Sequence, residues 1–263
     1  MIAASEYGPW AVVAGASEGM GVAFAQKLGE AGINVVMVAR KKDLLEKMAA
    51  DVRARSGVQT RTLALDLTSL DMLERIRNVT DDLDVGMLIY NAGAGDNMGF
   101  FLEAPIESSL KVMRLNPVGQ VLLCHHFGKK MAARGRGGII LMGSVAGTAG
   151  AASAVTYSAA KAFTQNFAEG LWAELKPRGV NVVCIAVGAT NTPARAKLNL
   201  SDKPGSVVSE PDALAQDSLD ALDDGPIFVP KHLVEQFQLY SSLPRREAVE
   251  AKTAKMLGIH RLK

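Results

Sequence analysis

Cysteine is scarce in this chain. Cys124 and Cys184 are the only two among 263 residues, too few for a disulfide framework, and their rarity fits a reduced, intracellular protein. No run of about 18 apolar residues occurs, so no segment reads as a membrane span. Residues Met1 to Gly8 carry Glu6 and lack a basic start followed by an apolar core, so they do not read as a signal peptide. Nor is charge of one sign in excess. Lys and Arg number 29 and Asp and Glu 27, leaving +2, which gives no field to gather nucleic acid or an anionic membrane. Metal-ligand patterns are equally thin. Cys124-His125-His126 has the right atoms, but adjacent helix residues point in different directions and no further His or Cys lies nearby, so packing or a subunit contact is the expected role. His232 and His260 carry no motif.

What is present is ordinary globular composition, with 48% hydrophobic and 21% charged residues. The length suits one α/β domain spanning residues 1–263. Short apolar runs recur, at Trp10 to Ala14, Asn34 to Ala39, Thr60 to Leu65, Met87 to Tyr90, Gly138 to Met142, Asn181 to Ala186 and Ile227 to Val229. They are continuous rather than alternating, as strands covered on both faces are. Helix-length segments lie between them, including Gly19 to Ala31, Lys42 to Arg55 and Ser153 to Lys176, the last with an apolar stripe of Phe163, Phe167, Leu171 and Leu175. Strand and helix in alternation imply right-handed crossovers and a doubly wound parallel sheet of Rossmann type, with helices on both faces. Near residue 209 a further helix is expected, with Ser209 as N-cap and Pro211 and Asp212 in the first turn, before a Gly225-Pro226 stop. Asn199 to Val208 is the most loop-like stretch, and 193–208 is expected to cover the site.

Directly after the first strand stands Gly15-Ala16-Ser17-Glu18-Gly19-Met20-Gly21. Such glycines let the backbone turn sharply and approach a pyrophosphate, while the helix that follows aims its free N–H groups at it. The spacing also fits an ordinary strand-to-helix turn. The second strand runs into Arg40-Lys41-Lys42, with no acid before Asp43. A carboxylate there would suit a ribose hydroxyl, whereas a guanidinium pairs with a 2′-phosphate, so Arg40 and Lys41, with the Ser17 hydroxyl, favour NADP(H) over NAD(H). A solvated basic face fits the same residues. Tyr157 and Lys161 are four apart on one helical face, and Ser144 follows the fifth strand at the sheet's carboxyl edge, where ligands of open α/β folds bind.

Together these motifs resemble the short-chain dehydrogenase/reductase family, through nearly the whole chain to about Pro193. The family's glycine turn matches Gly15, Gly19 and Gly21, and its Asn-Ala-Gly matches Asn91-Ala92-Gly93, although Tyr90 stands where many members have another Asn. The resemblance makes Asn116, in Asn116-Pro117-Val118-Gly119, the active-site Asn of a kinked helix, and Ser144, Tyr157 and Lys161 the catalytic Ser, Tyr and Lys. It places Asp66-Leu67 by the adenine, and Gly188, Thr190 and Thr192 along the cofactor, with Val187 in place of the family's proline. It also implies that Lys161 bonds the nicotinamide ribose and that Asn116 holds a water linking Lys161 to solvent. Pairing of helices across subunits into a homodimer or homotetramer is implied as well. Gly170, mid-helix, points independently to close approach by another helix.

Residue chemistry then defines an expected reaction. Tyr157 is the general acid for ketone reduction, or the base in reverse. A useful phenolate fraction near neutrality needs a downward shift of roughly 2–3 units, about 3–4 kcal/mol. One ammonium at about 4 Å and an effective dielectric of about 20 supplies that much, so Lys161 is expected to acidify the phenol. Ser144 is expected to donate to the substrate oxygen. Pro117, lacking an N–H, is expected to free the Met113 carbonyl and help open a relay kink, unless the helix simply ends there. A wall of Ala94, Gly95, Val145, Ala146, Ala151, Ala152, Ala189 and Ala194 would form a roomy apolar pocket for a hydrophobic ketone or secondary alcohol. The alternatives are an NADP(H)-sensing protein without turnover, or an epimerase or dehydratase on the same scaffold.

Overall fold

The apolar runs become strands whose side chains alternate between two cores. In the computed structural model, which describes residues 2–93, 99–196 and 207–258, these are β1 (Trp10–Ala14), β2 (Asn34–Ala39), β3 (Thr60–Ala64), β4 (Val85–Tyr90), β5 (Gly137–Met142), β6 (Val180–Ile185) and β7 (Ile227–Phe228). All pair in parallel, in the order β3-β2-β1-β4-β5-β6-β7. Val13, Met37, Ile89, Ile140 and Val183 face one core; Val12, Val36, Leu88, Ile139 and Val182 face the other. Both faces being covered is why the strands read as unbroken apolar runs, and each buried aliphatic side chain contributes about 1.5–3 kcal/mol.

The helices are α1 (Ala4–Tyr7), α2 (Met20–Glu30), α3 (Lys42–Ser56), α4 (Met72–Thr80), α5 (Ile106–Met113), α6 (Gly119–Arg134), α7 (Val155–Leu175), α8 (Pro193–Ala196), α9 (Pro211–Asp220), α10 (Val234–Ser242) and α11 (Arg245–Leu257). Phe24 and Leu28 of α2, Leu45, Ala49 and Val52 of α3, and Leu214 and Leu219 of α9 fill the first core. Met72 and Ile76 of α4, Leu123, Phe127 and Met131 of α6, and Ala168 of α7 fill the second, each set at helical spacing. The strand order reverses between β1 and β4, which opens a crevice at the carboxyl ends of the strands.

Several local expectations change. The apolar stripe of α7 lies at the margin of the second core: Leu175 is buried in it and Phe167 and Leu171 pack against it, Phe163 and Phe167 stack on each other at 5.3 Å, and Ala160, Lys161, Thr164 and Ala168 are the more deeply buried face. Ser209 is not an N-cap. Helix α9 starts at Pro211 after Glu210, and Ser209 instead bridges to Thr190, its N–H donating to Ala189 O at 2.9 Å. A Cβ at Gly170 would meet nothing within 4 Å, so among the described residues no helix makes the expected approach. Cys124 is buried in the second core, and His126 packs its ring on Phe127 and faces Asp81. Of the segment 193–208, residues 197–206 lie outside the described residues, as do Ala94, Gly95 and His260.

Candidate active site

Strand β1 ends at the glycine turn, and two of its glycines are sterically required. A Cβ at Gly21 would fall on the Gly15 carbonyl oxygen, and one at Gly19 would lie 2.8 Å from the Thr192 methyl. Gly15 and Gly19 also adopt positive φ, +91° and +55°. Gly19 caps α2 without any side-chain bond to the first N–H groups, and the first turn, which includes Met20, carries no acid. The positive end of α2 is therefore presented uncompensated, which fits a pyrophosphate. Across the crevice, Asn91 Nδ2 donates to Gly15 O at 2.8 Å, and the Asn91 and Ala92 N–H groups both donate to Ala14 O.

Arg40 and Lys41 are exposed at the end of β2, and Ser17, in the glycine turn, is half-buried. They differ in what they face: Lys41 Nζ pairs with Glu18 Oε1 at 2.8 Å, whereas the Arg40 charge reaches Asp66. Burial pushes the Asp66 carboxyl up, but hydrogen bonds from the Thr68 N–H and hydroxyl, with Arg40 and Lys111, hold it below the usual carboxylate range. Leu67 is buried beneath it.

Ser144 follows β5, Tyr157 and Lys161 share one face of α7, and Asn116 lies between α5 and α6. Lys161 is 2% exposed; its ammonium donates to Met142 O at 2.7 Å and sits 5.7 Å from the Tyr157 ring centroid. Burial pulls Lys161 down to about 8, with nearby Cys184 opposing. Burial also raises Tyr157 above the usual phenol value, and a Ser144 hydrogen bond only partly offsets it. The expected acidification by Lys161 is thus not what dominates here, because the ammonium lies over the ring and spends its hydrogen bond on Met142. Tyr157 is protonated at neutral pH. Ser144 Oγ accepts from the Ala146 N–H and donates to Val187 O, each at 3.1 Å, while Val187 N–H bonds Ile185 O, a contact proline could not make.

Arg114–Val118, containing Asn116 and Pro117, form a π-helical turn joining α5 to α6. The helix is widened rather than ended, and the carbonyl that gains a side-chain donor is that of Val112, not Met113: Asn116 Nδ2 donates to it at 3.0 Å. Asn116 Oδ1 is buried and has no partner among the described protein atoms. A Cβ at Gly93 would lie 2.6 Å from that oxygen and 2.9 Å from Lys161 Nζ, so Gly93 is what lets the two converge.

The loop after β6 completes the rim. A Cβ at Gly188 would meet Leu233, Thr190 bridges to Ser209, and the Thr192 methyl lies against Gly19. Of the expected wall, Val145 is buried beside Ser144, but Ala151 and Ala152 line a 440 Å³ cavity with Arg245 and Val249 whose walls include neither Ser144 nor Tyr157. A smaller 20 Å³ void, between Phe101, Ser109 and Val112, does touch Tyr157.

Three residues at this site escaped the sequence reading. Tyr90 donates its hydroxyl to Leu115 O in the π turn at 2.6 Å, and Gly119 leaves it room. Its odd position before Asn91 was a visible signal. Gln165 Nε2 donates to Ser144 O at 2.8 Å, and Lys252 donates to the turn after Ser144. Neither sits in a motif, so only tertiary structure reveals them.

This fold and site define a dinucleotide-binding oxidoreductase. Residues 9–203 match the short chain dehydrogenase family, and the chain belongs to that family of oxidoreductases, whose curated members similar to it are named as hydroxysteroid dehydrogenases and 3-oxoacyl-CoA reductases. Over 252 residues it is 30% identical to a 7β-hydroxysteroid dehydrogenase of Clostridium sardiniense, covering 95% of this chain and 96% of that one. A solved 7β-hydroxysteroid dehydrogenase superposes with a TM-score of 0.88 at 26% identity, covering 95% of this chain and 99% of its own. A short-chain dehydrogenase of Sphingobium yanoikuyae, solved in complex with NADPH, gives 0.77 at 28% identity, with 97% and 98% covered. Among the described residues, no helix is long and apolar enough to cross a membrane.

Proposed function

We propose that this enzyme interconverts a bulky hydrophobic ketone, steroid-like in size, and its secondary alcohol, with NADP(H) as the preferred cofactor. The observation that carries the reading is the convergence of Ser144, Tyr157 and buried Lys161 at the sheet's carboxyl edge, beside an uncapped glycine cradle. In the cradle, Gly15, Gly19, Met20 and Gly21 would hold the pyrophosphate. Arg40, Lys41 and Ser17 would take the 2′-phosphate, and Asp66 and Leu67 would border the adenine. Asn91, Ala92, Gly93, Gly188, Thr190 and Thr192 would line the nicotinamide half. When bound, the reduced nicotinamide supplies a hydride to the carbonyl carbon.

The chain's own residues handle the proton. Ser144, turning its hydroxyl proton away from Val187 O, donates it to the carbonyl oxygen and steadies its developing charge. Tyr157, kept protonated by burial, gives its proton to that oxygen. Lys161, whose ammonium lies over the ring, would stabilise the phenolate left behind and would help hold the ribose of the bound cofactor. Asn116 Oδ1, a buried acceptor without a protein partner, accepts from a water that returns a proton toward Lys161; leaving it unbonded would cost about 1–3 kcal/mol. The two buried free cysteines fit a reducing compartment, and we place the enzyme in the cytoplasm as a homo-oligomer.

The test follows nicotinamide absorbance with NADPH and NADH against a 7-oxosteroid, a bulky aryl ketone and a small charged 2-oxo acid. Turnover of the bulky ketones, favoured by NADPH, is expected. Turnover confined to the oxo acid would overturn the substrate reading.

A further inference from the structure

Lys252, on α11, is 7% exposed, and its ammonium ends among the oxygens of the turn that follows Ser144. Nζ reaches Val145 O at 2.8 Å, Ala146 O at 3.0 Å, Thr148 Oγ1 at 3.0 Å and Ala149 O at 3.2 Å. The Tyr240 ring from α10 lies 5.3 Å away. Burial, with the cationic Lys255 and Arg245 adding to it, pulls Lys252 down to about 8. An ammonium taken out of water is tolerated only where its N–H groups are met, and the single 3₁₀ turn Val145–Thr148 leaves carbonyls in want of donors. Each answers the other. Helix α11 adds two further ties: Arg245 Nη1 donates to Thr148 O at 2.8 Å, and Thr253 Oγ1 accepts from the Ala152 N–H at 3.0 Å.

The chain of contacts runs straight to the reacting group. Ala146 binds Lys252 through its carbonyl and Ser144 Oγ through its N–H. We propose that Lys252 is a positioning residue for catalysis: by gripping the carbonyls of residues 145–149 it fixes the Ala146 N–H that orients the Ser144 hydroxyl, making the C-terminal helix part of the active-site apparatus. This rests on the reading of Ser144 as the donor to the substrate oxygen.

Lys252→Met keeps the side-chain length and removes the charge. Two measurements are made on it: amide hydrogen exchange of the peptide spanning 143–150, and steady-state reduction of a 7-oxosteroid with NADPH. Exchange in that peptide should quicken at least about tenfold while β4 stays protected. The kcat should fall about tenfold to hundredfold, with the NADPH KM within about twofold of the parent. Lys252→Arg, which restores the charge, should recover part of both. Unchanged exchange, or a loosened turn with unchanged kcat, overturns the proposal. If Lys252→Met does not fold, Thr148→Val carries the test, removing one acceptor without stripping the charge of its others, and a smaller shift of both quantities in the same direction is required. If the parent enzyme does not reduce the steroid, the substrate reading fails, and kcat is compared instead on a ketone of the panel that the parent does turn over, with the same outcomes deciding the role of Lys252.

Discussion

Lys161 and Lys252 are both ammonium groups drawn out of water, and burial pulls each down to about 8, yet they serve different ends. Lys252 bonds carbonyl and hydroxyl oxygens beside an aromatic ring, whereas Lys161 lies over the phenol proposed to give up its proton. The sign of the Tyr157 shift fixes the pH behaviour. Its folded value is raised by burial, so the phenol is protonated through the neutral range. Reduction consumes that proton and should hold its rate through neutrality, falling only in alkali. Oxidation needs the phenolate, so with the phenol value raised its kcat should climb with pH through neutrality and on into alkali. Profiles of kcat measured in both directions check this; oxidation faster at the acid end would contradict it. Arg40 and Lys41 also part company. Arg40→Asp should weaken NADPH binding by at least about tenfold and leave NADH nearly unchanged, as fluorescence titration would show. Lys41→Ala should cost less, because that ammonium is already shared with Glu18. Equal losses for both cofactors in Arg40→Asp would remove the basic pair from its assigned role.

At the scale of elements, the π turn at Arg114–Val118 is where local sequence and tertiary contact meet. Pro117 cannot donate an N–H, the Asn116 amide takes the Val112 carbonyl, and the Tyr90 hydroxyl takes that of Leu115. Tyr90→Phe should cost about 1 kcal/mol, a Tm fall of about 2–4 °C, and lower kcat several-fold by letting Asn116 drift. A Tm loss with full kcat would confine Tyr90 to stability. The strands and the glycine turn were legible in the sequence because period and turn chemistry are local signals, whereas Ser144, Tyr157 and Lys161 were picked out by a family resemblance rather than by spacing alone. Other features were not. The apolar spacing of the Phe163 to Leu175 stripe does not reveal that Ala160, Lys161, Thr164 and Ala168 are buried more deeply and leave its aromatics half-buried at the margin of the second core. Ser209 has the composition of a cap but is drawn to Thr190 by a bridge between distant segments. Nothing near Lys252 in the sequence announces a bond to residues about a hundred positions earlier.

For the whole molecule, the strand order gathers the ends of β1 to β6 on one edge, so residues from Gly15 to Thr192 meet without long excursions. The opposite economy shows on the outer surface. Ile106, Leu110, Met113, Val118 and Val121 are exposed along α5 and α6, and Gly170 leaves an open face on α7. Light scattering should report a dimer or tetramer, and Gly170→Trp should dissociate it with little change in the melting of the protomer; a monomeric parent would contradict the subunit pairing. The central claim concerns the phenol. Tyr157→Phe should lower kcat by about three orders of magnitude or more while NADPH titrates with an affinity within about twofold of the parent. A variant that retains turnover would show that the proton comes from elsewhere.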